Sequence, residues 1–163
     1  MKLRHLFFAC SGVFVMIFSL LLLVVIVFSD EEDGGSGGNL IYGGVSVSQE
    51  VLAHKPMLEK YAREYGIEEY LNVLLAIIQV ESGGTLEDVM QSSESLGLPP
   101  NSLNTEESIK QGCKYFSELL TAAEIKDCDL NSVIQSYNYG GGFLDYVTGR
   151  GKKYTFELAE SFA

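Results

Sequence analysis

The feature that most constrains the fold is an apolar run at residues 71–80, LNVLLAIIQV, in which only Asn72 and Gln79 are polar. The run contains neither glycine nor proline and is dense in residues that favour helices. A helix that is apolar on nearly every side has to be enclosed by protein, because water would otherwise contact its hydrophobic faces. Residues 69–80 are therefore predicted to form a central core helix.

A single carboxylate follows this run. Glu81 is succeeded by Ser82, Gly83 and Gly84, and glycine lets the chain adopt positive φ and leave a helix sharply. Burial and the negative end of the helix both disfavour ionisation, so we expect the pKa of Glu81 to be raised towards about 6. A carboxyl that keeps its proton near neutral pH is a candidate general acid, although a glutamate at a helix end is more often a solvated surface residue.

A second apolar segment lies near the N-terminus. Residues 6–28 carry no charge and as a helix would be about 34 Å long, against a hydrocarbon core of roughly 30 Å. The segment is longer than the apolar region of a cleaved signal peptide, which has about 7–15 residues. Lys2 and Arg4 precede it and acidic residues follow it, so the positive-inside rule places residues 1–5 in the cytoplasm and the chain after residue 28 outside the cell. The sequence predicts a single-pass membrane protein.

Charge and composition organise the remainder. Residues 29–47 are rich in glycine and acid, which predicts a flexible tether, and residues 48–163 are predicted to form one domain. All 22 acidic residues but only nine of the 11 Lys and Arg lie after residue 29, a formal charge of about −13. This balance argues against nucleic acid and anionic lipid headgroups as partners. It favours a neutral ligand that is bound by hydrogen bonds and stacking.

Helical patterns dominate the first half of the predicted domain. Ser46 or Ser48 can cap a helix that continues to Tyr65, and Pro56 should kink it or start a second piece. Residues 83–104 show no clear period, so we expect an extended loop over one mouth of the core, with room for a short strand pair.

The second half continues the mainly α pattern, without internal repeats. Asn104 and Glu107 have the spacing of a capping box, which predicts a helix to about residue 123. Asp129 is expected to cap a helix over 130–138, residues 143–147 to form a short turn, and Thr155 to start a last helix.

Cysteine and histidine usage restricts the chemistry. Cys113 and Cys128 are the two thiols expected outside the membrane, where they could form a disulfide or remain free and buried. His54 is the one histidine expected outside, so neither a histidine-based zinc site nor a cysteine nucleophile with a histidine base is supported. Residues 127–138 match a calcium loop only at its first positions, and a helix cap explains them better. No metal or cofactor is predicted.

Three further segments accompany the Glu81-Ser82 pair: DVMQSSES at residues 88–95, SIKQG at 108–112 and QSYNYG at 135–140. Together they resemble the signature of goose-type lysozymes and soluble lytic transglycosylases. Their spelling is more similar still to the lysozyme domain of CwlT-type cell-wall hydrolases of Gram-positive conjugative elements and to pneumococcal vaccine antigen A proteins. The resemblance covers residues 48–163 and implies a lysozyme-like helical domain.

The resemblance implies an N-acetylmuramidase that cleaves the β-1,4 bond between N-acetylmuramic acid and N-acetylglucosamine in peptidoglycan. Glu81 would be the general acid. Glu94 is the first choice for the second carboxylate, which would position water, and Asp88 is the second choice. The residues expected to bind the glycan are Ser82, Gln91, Ser93, Tyr137, Asn138 and Tyr139.

Two other functions stay open at this point. A lytic transglycosylase needs no second carboxylate, because the 6-hydroxyl of the sugar attacks and leaves an anhydro end. A non-catalytic, glycan-binding scaffold could hold a conjugation or secretion channel against the cell wall. CwlT-type proteins also carry a peptidase domain after the lysozyme domain, and this sequence ends at Ala163, so we expect a truncated copy or a single-domain relative.

Overall fold

The structure, a computed structural model, describes residues 40–42 and 45–163. Two three-residue strands, β1 (Leu40–Tyr42) and β2 (Val45–Val47), pair antiparallel with Ile41 opposite Ser46. Short 3-10 helices occupy Glu68–Tyr70 and Ser92–Leu96. The α-helices of this part are α1 (Gln49–Ala53), α2 (Lys55–Glu64), α3 (Leu71–Glu81), α4 (Thr105–Lys126), α5 (Leu130–Tyr139), α6 (Gly142–Thr148) and α7 (Phe156–Phe162). The predicted mainly α class is confirmed for the described residues.

The core helix lies where the apolar run predicts it, as α3. Six consecutive residues, 73–78, are buried, and the helix packs against β2, α1 and α2. The same hydrophobic core includes Ile109, Cys113 and Phe116 of α4 and Ile134 of α5. Burying all sides of α3 is what stabilises its position, since each large aliphatic side chain removed from water contributes roughly 1.5–3 kcal/mol.

The predicted helix starts are confirmed at their capping side chains. Ser48, rather than Ser46, caps α1 by accepting a hydrogen bond from the backbone N–H of Val51. Asn104 and Glu107 form the reciprocal capping box at the start of α4. The remaining caps are those of Asp129, which accepts from Ser132, and Thr155, which accepts from Leu158. Pro56 starts a second piece, α2, as one of the two expected outcomes.

Two local predictions are wrong. No strand pair forms within residues 83–104, which adopt turns and a 3-10 helix instead; the strands lie in residues 40–47, at the end of the predicted tether. Residues 143–147 are not a short turn but belong to α6. Phe143, Leu144 and Val147 are all buried, and their spacing places them on one helical face, so packing extends the turn into a helix.

Cys113 and Cys128 are both free thiols, so the disulfide alternative is not formed. Cys113 is fully buried, and burial raises the pKa of its thiol to about 12, which makes it a core residue without nucleophilic character. The predicted membrane anchor, residues 6–28, lies outside the described residues. Within residues 40–42 and 45–163, no helix has both the length and the apolar character needed to cross a membrane.

Candidate active site

Helix α3 ends at Glu81, and the turn that follows contains two glycines in left-handed backbone conformations. Gly83 and Gly84 have φ angles of +62° and +79°. A Cβ atom on Gly84 would lie 2.7 Å from backbone atoms of Glu50 and Val51 in α1. A side chain at residue 84 would therefore be excluded both by backbone strain and by the close approach of α1.

Hydrogen bonds from α1 and its cap hold this turn in place. The Ser48 backbone N–H donates to Gln79 Oε1 at 2.7 Å, and the Ser48 hydroxyl donates to the carbonyl of Gly83 at 3.3 Å. His54 Nε2 donates to the carbonyl of Gly84 at 2.9 Å. The end of α3 is thereby fixed from three sides.

The Ser82 side chain makes its hydrogen bonds to nearby backbone groups and does not line the cleft. Its hydroxyl donates to the Val89 carbonyl at 2.7 Å and accepts from the Gly84 N–H at 3.0 Å. Since these contacts occupy the hydroxyl, the structure gives no support to the predicted role of Ser82 in glycan binding.

The carboxyl group of Glu81 is half-buried and carries a raised pKa of about 7. Burial, which penalises the ionised form, is the main cause, and the negative charges of Glu94 and Asp88 add to it. No cation of the described residues pairs with Glu81 to offset these effects. The predicted direction of the shift is confirmed, and a large fraction of the carboxyl groups keep their proton at neutral pH.

Residues 88–96, here called the cleft loop, carry the two acidic side chains whose charges raise the pKa of Glu81. Asp88 is fully buried, with no exposed surface. Its carboxylate accepts hydrogen bonds from the backbone N–H groups of Ser92 and Ser93, at 3.0 and 3.3 Å, and from the Ser108 hydroxyl at 2.6 Å. Ser93 is buried too. Because both side chains are buried, the structure gives no support to Asp88 as the second carboxylate or to Ser93 as a glycan-binding residue.

Glu94 and Gln91 line the cleft, together with Ser92 and Ser95 of the same loop. Glu94 is exposed on the 3-10 helix Ser92–Leu96. Gln91 has a left-handed φ of 46°, and its side-chain amide donates to the Asp88 carbonyl and to Asn101 Oδ1. The loop thus presents one solvated carboxylate and one fixed amide.

Between the cleft loop and α5 lies a cleft of about 180 Å³. Five of the predicted site residues line it, and the full lining is Gln91, Ser92, Glu94, Ser95, Tyr115, Tyr137, Asn138, Tyr139 and Gly140. Glu81 is not one of these lining residues, but its charge is close enough to Tyr137, which does line the cleft, to raise the pKa of that phenol.

Tyr137 joins the cleft wall to the core. Its hydroxyl donates to the Met90 carbonyl at 3.0 Å, and its ring packs 5.5 Å from that of Tyr115 and 6.5 Å from that of Phe116. Burial raises the pKa of Tyr137 well above its usual value, so the phenol stays protonated and remains a donor. Tyr137 is therefore both a wall of the cleft and an anchor of the cleft loop.

Sequence reasoning missed the role of Gly112 and the position of Tyr115. A Cβ atom on Gly112 would lie 2.5 Å from the Met90 sulfur and 2.9 Å from the Tyr137 hydroxyl oxygen. Glycine at 112 is what lets the cleft loop and α5 meet over α4. The SIKQG segment contained this signal, since a glycine inside a helical pattern often marks a close approach.

A larger groove, of about 540 Å³, lies on the other face of α4 and contains no predicted site residue. In the part of the chain that the structure describes, no three His, Cys, Asp or Glu side chains are grouped as metal ligands would be. The side chains that line the cleft offer carboxyl, amide, hydroxyl and phenol groups.

Comparisons with known proteins agree with this geometry. The lysozyme-like family model matches residues 48–163. The chain is 43% identical to the bifunctional muramidase/DL-endopeptidase CwlT of Bacillus subtilis over 75% of its own length and 36% of that relative. It is 37% identical to a pneumococcal vaccine antigen A homolog of Streptococcus pyogenes over 71% of this chain and 58% of that one.

A crystal structure from Staphylococcus aureus, of a protein described as similar to lipoprotein of the NLP/P60 family, matches with a TM-score of 0.71. The two chains are 76% identical, over 71% of this chain and 39% of the other. This chain therefore spans little more than a third of the length of CwlT and of the staphylococcal protein.

Proposed function

Because the chain belongs to the lysozyme-like family, we propose that it cleaves the β-1,4 glycosidic bond between N-acetylmuramic acid and N-acetylglucosamine in peptidoglycan. The observation that carries the proposal is the carboxyl group of Glu81, which is half-buried beside a polar, aromatic cleft with a pKa of about 7. The muramidase named among the relatives supports the same substrate class.

Glu81 acts as the general acid. Its proton passes to the glycosidic oxygen as the bond from that oxygen to the anomeric carbon breaks, which leaves an oxocarbenium-like sugar and a free hydroxyl on the departing sugar. An unperturbed glutamate, with a pKa of about 4.3, would seldom hold this proton at neutral pH. Burial of the Glu81 side chain supplies the required shift.

Glu94 acts as the second carboxylate. Both Glu94 and Asp88 raise the pKa of Glu81. Glu94 is exposed at the cleft, whereas Asp88 is buried and its carboxylate accepts three hydrogen bonds. A solvated carboxylate can take a proton from water as that water attacks the anomeric carbon, which completes hydrolysis. Gln91 and Asn138 would pair with the amide and hydroxyl groups of the N-acetylated sugar, and the ring of Tyr139 would contact its apolar face.

Product analysis tests the proposal. Purified peptidoglycan is digested with the full-length chain, and the fragments are identified by mass spectrometry, with Glu81→Gln as the matched blank. We expect new reducing N-acetylmuramic acid ends. Anhydro ends would replace hydrolysis by lytic transglycosylation, with Glu81 in the same role. Binding to peptidoglycan without any new ends would overturn the catalytic proposal and leave a glycan-binding scaffold.

The proposed place of action is the outer face of the cell membrane, with the domain tethered next to the cell wall. The support for this is the uncharged segment 6–28 with basic residues before it and acidic residues after it. Protease added to intact cells should remove the domain and spare the N-terminus. Recovery of the domain in the cytoplasm would contradict both the topology and the proposed substrate.

A further inference from the structure

The buried carboxylate of Asp88 is the least exposed acidic group near the cleft, and the proposed reaction does not use it directly. It accepts from three donors: the backbone N–H groups of Ser92 and Ser93 and the hydroxyl of Ser108. The Ser108 oxygen in turn accepts from the Met90 backbone N–H at 3.0 Å. The network thus joins the cleft loop to the first turns of α4.

Three donors require the acceptor capacity of a carboxylate. An ionised aspartate accepts on both oxygens, whereas asparagine has one accepting oxygen and an NH₂ group that only donates. If Ser108 instead accepted from an asparagine NH₂ group, its own proton would lose the acceptor that Asp88 provides. Asp88→Asn therefore leaves at least one buried donor unpaired, which is costly inside a protein.

The groups that Asp88 holds are the start of the 3-10 helix Ser92–Leu96, which carries Glu94 into the cleft. A second contact fixes the loop from the other side, since the Tyr137 hydroxyl donates to the Met90 carbonyl. Gln91, between these two contacts, lines the cleft as well. The positions of the Glu94 and Gln91 side chains thus depend on Asp88, which itself contacts no solvent.

We infer that Asp88 is a positioning residue: through Ser92, Ser93 and Ser108 it fixes the cleft loop on α4 and so places Glu94 opposite Glu81. This inference rests on the proposed function. Asp88 is then not the second carboxylate itself but the residue that holds the second carboxylate, Glu94, in position. A small misplacement of a catalytic group can lower a rate about 100-fold.

A double-mutant cycle on the full-length chain separates positioning from general stabilisation. Release of new ends from peptidoglycan is measured for the parent, Asp88→Asn, Glu94→Gln and the double variant. We expect Asp88→Asn to lower kcat/KM about 10–100-fold in the parent and less than about 3-fold when Glu94 is already replaced. Equal losses in both backgrounds, no loss at all, or an unaffected Glu94→Gln would each overturn the inference.

Two further variants make the result decisive. Glu87→Gln removes a charge from an exposed neighbour outside the network and should leave kcat/KM within about 2-fold of the parent. If Asp88→Asn does not fold, Ser108→Ala replaces it, since it removes one hydrogen bond of the network; the same non-additivity with Glu94→Gln supports the inference and additivity overturns it.

Amide hydrogen exchange gives a readout that does not depend on activity. In folded Asp88→Asn, faster exchange should be confined to residues 92–97. Exchange that is unchanged there, or faster throughout the domain, would argue against the inference. A parent chain that releases no ends from peptidoglycan defeats the proposed function instead, and this result is distinct from an active parent that tolerates Asp88→Asn.

Discussion

The long helix α4 separates the cleft from the larger groove. Tyr115 faces the cleft of about 180 Å³, whereas Ser117, Leu120 and Thr121 line the groove of about 540 Å³. Acidic side chains border both, with Glu69 and Glu124 at the groove. The larger hollow is the one without the candidate chemistry, so volume alone does not identify the site.

Solvation of the carboxyl groups explains the difference. Glu69 and Glu124 are exposed to water. Glu81 is half-buried next to two other negative charges, and its pKa is raised to about 7. What distinguishes the cleft is a nearby carboxyl group that is partly removed from water and that no cation of the described residues pairs with. The predictions below test whether that difference decides activity.

Glu81→Gln should have the largest effect. Glutamine keeps the shape and hydrogen-bonding atoms of the side chain but has no transferable proton, so release of ends from peptidoglycan should fall by at least about 10²–10⁴-fold. Circular dichroism should show unchanged helicity. A folded Gln variant that retains activity within a few-fold of the parent would exclude Glu81 as the acid.

The pH dependence should follow the protonation of Glu81. Above its pKa of about 7, the protonated fraction and hence the rate should fall about 10-fold per pH unit. Stability should show the same group: the folded pKa lies above the ordinary value of 4.5, so the contribution of Glu81 to stability is lost as pH rises from about 4.5 through 7. The difference in melting temperature between Glu81→Gln and the parent should therefore be larger at pH 8 than at pH 5. A rate that is flat up to pH 9 would contradict the assignment.

Glu94→Gln should slow turnover by about 10-fold or more while glycan affinity stays near that of the parent, because the amide cannot accept a proton from water. Single-turnover kinetics and a binding isotherm on the same glycan separate the two effects. If turnover does not change, hydrolysis through Glu94 is wrong, and attack by the 6-hydroxyl of the sugar becomes the better mechanism.

Gly112→Ala should distort the cleft by displacing Met90 and Tyr137. Its Cβ would lie under 3.0 Å from both Met90 and Tyr137, and Met90 is fully buried and cannot easily move away. Overpacking of this kind costs about 1–3 kcal/mol, and we expect a lower melting temperature with several-fold lower activity. Gly149→Ala is the matched control, since the atom nearest to its new Cβ would be the Tyr146 carbonyl oxygen at 3.9 Å. Equal melting temperatures and activities of the two variants would contradict a special packing role for Gly112.

Glu124→Gln should have the smallest effect. The residue borders the larger groove and is exposed, so we expect kcat/KM to change by less than about 2-fold at every pH. A loss comparable to that of Glu94→Gln would mean that the groove takes part in catalysis, and the contrast between the two hollows would fail.

The sequence predicts well what is periodic or capped. The apolar run identifies α3, and Asn104 and Asp129 mark the starts of α4 and α5. The exit of α3 at Gly83 follows from the same local rules. These features depend on neighbours along the chain, so they can be read without knowing what packs against them.

The roles of Ser82, Asp88 and Ser93 could not be predicted in the same way. They lie in a segment without periodicity, where spacing does not tell which side chains face the solvent and which face the protein. The hydrogen bonds of Ser82 and Asp88 run to Val89, to α4 and within the cleft loop, and only the folded chain shows these contacts and the burial of Ser93. The polar residue types predict that residues 88–96 form a loop, but they do not predict whether each side chain faces the solvent or the protein.

The hydrogen bonds of Ser48 have a mechanical consequence. This residue lies where the chain joins the helical domain, and it is bonded to Gln79 in the last turn of α3 and to Gly83 just after Glu81. Tension applied to the chain ahead of Ser48 would therefore load the end of α3 before it is distributed over the rest of the domain. The part of the molecule that carries the candidate acid is also the part that would bear a pull on its N-terminal side.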